Sequence, residues 1–133
     1  MEKINARIDV VVLAAGMGTR MKSNKPKALH PLLGKPMVDY ILDAVAGICN
    51  EPPVVVVGSG AEQMQKVLGE RVRFALQVPQ LGTAHAVMRA RPFIEGKSDL
   101  VLVANSDFPL ITKDTYQSLV DTHLKGRSPL TIC

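Results

Sequence analysis

The chain has 133 residues, 47% of them hydrophobic, with a formal net charge of +4 and a pI near 9.3. That is the size of one domain, apolar enough to form a core and free of the polar tracts that leave a chain disordered. No run of about 18 apolar residues is present to span a membrane, and aromatics, at 4%, are too few for the stacking platforms of single-strand nucleic-acid binders.

The first apolar run, Ile8 to Ala14, reads as a buried Val-rich strand. It leads into a Gly loop rather than a cleavage site, which argues against a signal peptide. In "PMVDYILDAVAG", Met37, Ile41, Leu42, Val45 and Ile48 recur at helical spacing, with Pro36 suited to the start and Gly47 near the end. "PPVVVVG" is a second buried strand and "AEQMQKVLG" a short helix ending at Gly69. "RVRFALQ" is a third strand, and "TAHAVMRA" a helix with Thr83 as its expected N-cap. "DLVLVAN" is a fourth strand. Thr112 to Lys125 is a helix stopped by Gly126, and "PLTIC" begins a fifth strand. Strands alternating with helices predict an α/β fold: a Rossmann-like, mainly parallel sheet flanked by helices. Ligands of such sheets bind beyond the carboxyl ends of the strands. The Gly-rich and polar stretches 15–20, 58–60, 77–83 and 105–109 all follow strands.

From Leu13 to Met37, "LAAGMGTRMKSNKPKALHPLLGKPM" collects Arg20, Lys22, Lys25, Lys27 and Lys35 around flexible backbone, with no acid among them. The glycines match neither the dinucleotide fingerprint, since Met21 stands where a third Gly belongs, nor a Walker loop. Gly16 and Gly18 still offer backbone N–H groups to an anion. Arg20 grips phosphate oxygens bidentately, and Pro26 stiffens the chain before Lys27, so these two are the candidate phosphate contacts. The other lysines read as solvated. The charge thus suits a small phosphorylated ligand better than nucleic acid. Asp107, just past the fourth strand, is sited to hold Mg²⁺, which takes few protein oxygens alongside phosphates and water; a capping or turn role is the competing reading. Gln77 and Gln80 carry both donor and acceptor, as a nucleobase edge requires. Gly82 and Thr83, at the start of a helix, could reach base or phosphate. His30, His85 and His123 show no metal-ligand spacing and read as structural or supporting. Cys49 and Cys133 match no metal or redox pattern, which fits a reducing cytoplasm.

Taken together and in order, "LAAGMGTRM", "KPKALHPLLGKPM", "LQVPQLGTAHAV" and "SDFPLI" resemble the nucleotidyltransferase domain of sugar-1-phosphate nucleotidyltransferases. Within that family they are most similar to the bacterial uridylyltransferases for N-acetylglucosamine 1-phosphate. The resemblance implies that Leu13, Ala14, Ala15 and Gly16 lie along the nucleotide, with Gly18 and Thr19 in the same loop. It implies that Arg20 and Lys27 face the triphosphate, that Gln77, Gly82 and Thr83 recognise uracil, and that Asp107 binds the catalytic Mg²⁺. The substrates implied are UTP and a sugar 1-phosphate, with no nucleic-acid or membrane partner and with an oligomer possible in the full-length protein.

Two positions depart from the family pattern: Ser106 stands where Gly is usual, and Asn105 where an aromatic or apolar residue is common. They bear on the sugar and bring in the related molybdopterin nucleotidyltransferases; a non-catalytic nucleotide-binding domain on the same fold is the other alternative. The family's sugar-binding residues and second metal ligand fall beyond Cys133. With the unfinished apolar run there, this gives the expectation that residues 1–133 are the N-terminal nucleotide-binding part of a longer domain.

Overall fold

The computed structural model describes residues 6–16 and 24–133. Its centre is a four-stranded parallel sheet of β1 (Ile8–Leu13), β4 (Val54–Val57), β5 (Arg73–Leu76) and β6 (Leu100–Asn105), in the order β5-β4-β1-β6. β1 pairs on both sides, Leu13 lying opposite Val56 of β4 and Asn105 of β6. β1 and β4 are Val-rich because a strand covered on both faces takes apolar residues at nearly every position; Asp9 of β1, buried at 5% exposure, is the exception and is paired with Arg73 at 2.7 Å. Val10, Val11 and Val12 are each fully buried.

Alternation along β1 divides the core in two. Val10, Val12 and Ala14 face α1 (Met37–Val45), α2 (Ala61–Leu68) and α5 (Lys113–Lys125), whose Ile41, Met64 and Tyr116 fill the larger cluster. Val11 and Ala15 face the other way, onto Ala86 of α3 (Thr83–Arg89) and Ala90, with Phe93 and Ile94 of α4 (Arg91–Ile94) beside them. The connections explain the layering. From β1 through α1 to β4, and through α2 to β5, the chain steps one way along one face. From β5 it returns under the opposite face through α3 and α4 to reach β6. Right-handed crossovers require this change of face when the direction reverses. The reversal leaves a switch point between β1 and β6, beyond whose carboxyl ends a crevice forms.

The four main strands and the helices expected from periodicity are present within a residue or two. Three features differ. Residues 129–133 form no strand; Thr131 Oγ1 instead lies 2.8 Å from His123 Nδ1 at the end of α5. Thr83 is the first residue of α3 and not its cap; Gly82 takes the N-cap position at φ 108°, in the left-handed region that favours glycine. A small antiparallel hairpin, β2 (Pro31–Leu32) with β3 (Lys35–Pro36), precedes α1 and turns through Leu33 and Gly34, both at positive φ. Two successive residues at positive φ match the twist of a two-residue hairpin.

Candidate active site

The loops that leave β1, β5 and β6 enclose an open cleft of about 300 Å³. Leu13, Ala15, Gly16, Lys27, Gln77, Gln80, Gly82, Thr83, Asn105, Ser106 and Asp107 line it. Of the residues singled out from sequence, Leu13, Ala15, Gly16, Lys27, Gln77, Gly82, Thr83 and Asp107 therefore meet at one place. Ala14 packs in the core beneath it, its N–H donating to Val56 O at 2.9 Å. Gly18, Thr19 and Arg20 lie outside the described residues.

Each wall has a local cause. Lys27 opens a single 3-10 turn, Lys27–Leu29, whose Ala28 and Leu29 are buried. Its N–H donates to Gly16 O at 3.4 Å, which ties the return of the basic loop to the end of β1. The preceding Pro26 is buried so close over Gly60 that a Cβ there would lie 2.1 Å from Pro26 Cγ. Rigid φ at the proline and a seated ring fix where Lys27 points. Its Nζ reaches Asp107 Oδ2 at 3.1 Å, across 80 residues of sequence. Asp107 sits in the turn after β6, where Ser106 N–H donates to Leu13 O at 3.2 Å and extends the β1–β6 ladder by one step. Both partners of the ion pair are about half exposed, at 40% and 49% of side-chain area, so the pair adds little to stability. Its consequence is placement: a cation and a carboxylate held together at the switch point.

The opposite wall is held by amides. Gln77 N–H donates to Val57 O at 2.8 Å, and its side chain, only 3% exposed, lies against Gly82 O and His85. Gln80 turns inward, its Nε2 donating to the Ala15 carbonyl and clamping the β5 loop to the β1 loop. Where a base edge is the expected partner of Gln80, the fold gives its amide nitrogen a backbone acceptor. The hydroxyl of Thr83 is not used as a cap. Ser106 is buried at 4% exposure, where a glycine would leave that space open.

The donor set fits one hard cation. Among the described residues there is no group of three or more acidic, His or Cys side chains that could cage a metal. A single exposed carboxylate at a cleft mouth suits Mg²⁺, which keeps its waters and takes most other ligands from phosphates.

Residues 10–133 match the MobA-like NTP transferase domain. The chain belongs to that family. It is 50% identical over 122 residues to the bifunctional protein GlmU of Geobacillus sp. (strain WCH70), covering 92% of this chain and 27% of the relative. The chain thus spans about a quarter of the length of the curated relatives it matches. Among solved structures it is similar to a nucleotidyl transferase from Methanothermobacter thermautotroptrophicus, with TM-score 0.73 and 26% identity over 88% of this chain and 57% of that one. The fold is also that of the CTP:phosphocholine cytidylyltransferase from Streptococcus pneumoniae, with TM-score 0.63 and 22% identity over 81% of this chain and 50% of that one. These neighbours place the architecture in the nucleotide-diphospho-sugar transferase fold.

Proposed function

We propose that the chain is the nucleotide-binding part of a uridylyltransferase that passes the uridylyl group of UTP to a sugar 1-phosphate, N-acetylglucosamine 1-phosphate being the acceptor. The observation that carries the reading is the meeting of Lys27, Asp107 and Gln77 in one cleft at the switch point. The 50% identity to a GlmU relative supports the choice of substrates.

In the reaction an ionised phosphate oxygen of the sugar 1-phosphate attacks the α-phosphorus of UTP in line. The new P–O bond forms as the α–β bridging P–O bond breaks, and pyrophosphate leaves. The nucleophile is already ionised at neutral pH, so no general base is needed, and positioning and charge stabilisation do most of the work. Lys27 neutralises the β- and γ-phosphates and then the departing pyrophosphate, with Arg20 in the same role. Leu13 to Gly16, with Gly18 and Thr19, carry the backbone along the nucleotide, while Gln77, Gly82 and Thr83 read the base. Asp107 would hold Mg²⁺, which when bound neutralises charge on the phosphate oxygens. With Lys27 drawn onto phosphate, the Asp107 carboxylate is released from its ion pair for that task. The expected location is the cytoplasm, where UTP is supplied; no described helix is long and apolar enough to cross a membrane.

The test is pyrophosphate release by the full-length protein that carries this sequence, with UTP, CTP, GTP and ATP each offered N-acetylglucosamine 1-phosphate, glucose 1-phosphate or no acceptor. Turnover confined to UTP with N-acetylglucosamine 1-phosphate is expected. Turnover with another nucleotide, or nucleotide binding without release, would replace the reading with another transferase or with a non-catalytic nucleotide-binding domain.

A further inference from the structure

Gln77 has two amide hydrogens, and the structure spends both. Its Nε2 lies 3.1 Å from the carbonyl oxygen of Gly82 and 3.1 Å from Nδ1 of His85. A carbonyl oxygen only accepts, so the amide atom facing Gly82 is nitrogen, and this fixes which way round the amide sits. The second hydrogen then needs an acceptor at Nδ1, which places the imidazole proton on Nε2. No described residue donates to the remaining group, Oε1, on a side chain that is 3% exposed and lines the cleft. Among the described residues the buried unpaired side-chain atoms are His30 Nε2 and the Tyr116 hydroxyl; Gln77 Oε1 is not one of them and meets solvent in the cleft, where a ligand donor can replace water.

The two anchors of the amide differ in kind. Gly82 is the exposed N-cap of α3, and its carbonyl also accepts from the Ala86 N–H at 3.1 Å, so it is a backbone anchor. His85 stands on α3, one residue before Ala86, which is buried against β1 at 5% exposure. The histidine is the side-chain anchor, the one of the two that a substitution can remove.

We propose that His85 is a positioning residue for base choice. By accepting from Gln77 through Nδ1 it completes, with Gly82 O, the pair of acceptors that hold the amide with its oxygen turned to the cleft. The cleft then takes a pyrimidine whose ring nitrogen bears a hydrogen, as N3 of uracil does. It refuses one whose ring nitrogen bears a lone pair, as N3 of cytosine does, because two acceptors would face each other. The fold cannot make this choice, since the cytidylyltransferase from Streptococcus pneumoniae shares it. The inference rests on the reading of Gln77 as the base contact and adds what sets that contact's polarity.

The experiment compares UTP with CTP in the full-length protein, measuring kcat and KM for His85→Phe, His85→Asn and Gln77→Ala. Phe keeps a ring and loses the acceptor; Asn restores an acceptor oxygen near the place of Nδ1. His85→Phe should narrow the UTP-over-CTP preference in kcat/KM by about tenfold, the scale of one lost hydrogen bond with a stranded donor. The change should fall on KM, and His85→Asn should recover most of it. An unchanged preference in His85→Phe, or an equal loss in His85→Asn, overturns the proposal. If Gln77→Ala collapses the preference while His85→Phe does not, the base contact stands and only the role of His85 falls. If Gln77→Ala changes nothing, the base contact itself is wrong. The wild-type protein gives a check that needs no variant: imidazole ¹⁵N shifts should report the Nε2–H tautomer, and a proton on Nδ1 would refute the arrangement.

Discussion

Replacing Gly58 with alanine probes the joint between the two loops of the cleft. Gly58 follows β4, and a Cβ built on it would lie 2.8 Å from the Ala15 carbonyl oxygen and 2.9 Å from Gln80 Nε2. Ordinary contact begins near 3.4 Å, so the Ala15 carbonyl must retreat by about half an ångström and Gln80 Nε2 must shift with it. The strands cannot part to make room, because Ala14 N–H is bonded to Val56 O at 2.9 Å just behind. Overpacking against backbone costs about 1–3 kcal/mol. In a domain of this size that lowers Tm by roughly 4–10 °C. A loop displaced by about half an ångström should also weaken binding of the proposed nucleotide, UTP, by about tenfold, the scale of one lost hydrogen bond. Differential scanning fluorimetry and calorimetric titration with UTP and Mg²⁺ read both effects. Gly47→Ala is the control. Its Cβ would meet only the free end of Lys113, 3.2 Å from Nζ, and should leave both quantities unchanged. A Gly58→Ala protein that melts with the wild type and binds UTP equally well would refute the account of the joint.

Three further outcomes are expected. Lys27→Ala and Arg20→Ala should each lower kcat by about 10²-fold, the scale of one lost preorganised donor, and wild-type rates from both in the pyrophosphate assay would remove the phosphate assignment. Asp107→Ala should abolish Mg²⁺-dependent turnover while shifting Tm very little, because the exposed pair it breaks is worth less than about 1 kcal/mol; a large Tm loss with activity retained per folded molecule would make it a turn residue. The Asp99 carboxyl is held below the ordinary aspartate range, first by the Arg7 backbone N–H at 2.8 Å and then by the Arg7 side chain. A depressed carboxyl gives stability above its unfolded pKa that is lost as pH falls through the folded value, so Asp99→Asn should flatten the acid limb of the Tm–pH curve below about pH 4, and a limb as steep as the wild type's would count against it.

The strands were legible because Val runs closed by Gly admit few other structures. The helices were legible where the apolar residues repeat on one face, as Ile41, Leu42 and Val45 do in α1. The hairpin of β2 and β3 was not, since two-residue strands have no period and Leu33 at φ 51° carries no turn signal of the Asn-Gly kind. α4 was hidden for a related reason: its four residues begin with Arg91–Pro92, and Pro in a first turn reads as a break from sequence alone. "PLTIC" has the composition of a strand, yet composition does not supply the neighbour a strand must pair with. At the site, residue types and their places after strands could be read. The partners could not: Lys27 with Asp107 and Gln80 with Ala15 are separated by 80 and 65 positions. His85 gave no metal or catalytic spacing, and its bond to Gln77 spans a loop whose path only the fold reveals.

The strand order has a consequence for how the protein comes into being. β1 is made first but is completed on one flank only by β6, the last strand of the sheet. The Lys27–Asp107 ion pair waits for that long-range closure, whose chain entropy must be met before any contact rewards it, whereas the Gln80–Ala15 clamp needs only β1, β4 and β5. A polypeptide emerging from the ribosome therefore lacks the Lys27–Asp107 pair of the candidate site until Asp107 has cleared the exit tunnel. On the proposed function, a nucleotide that binds the closed sheet would from that moment hold the finished arrangement against reopening.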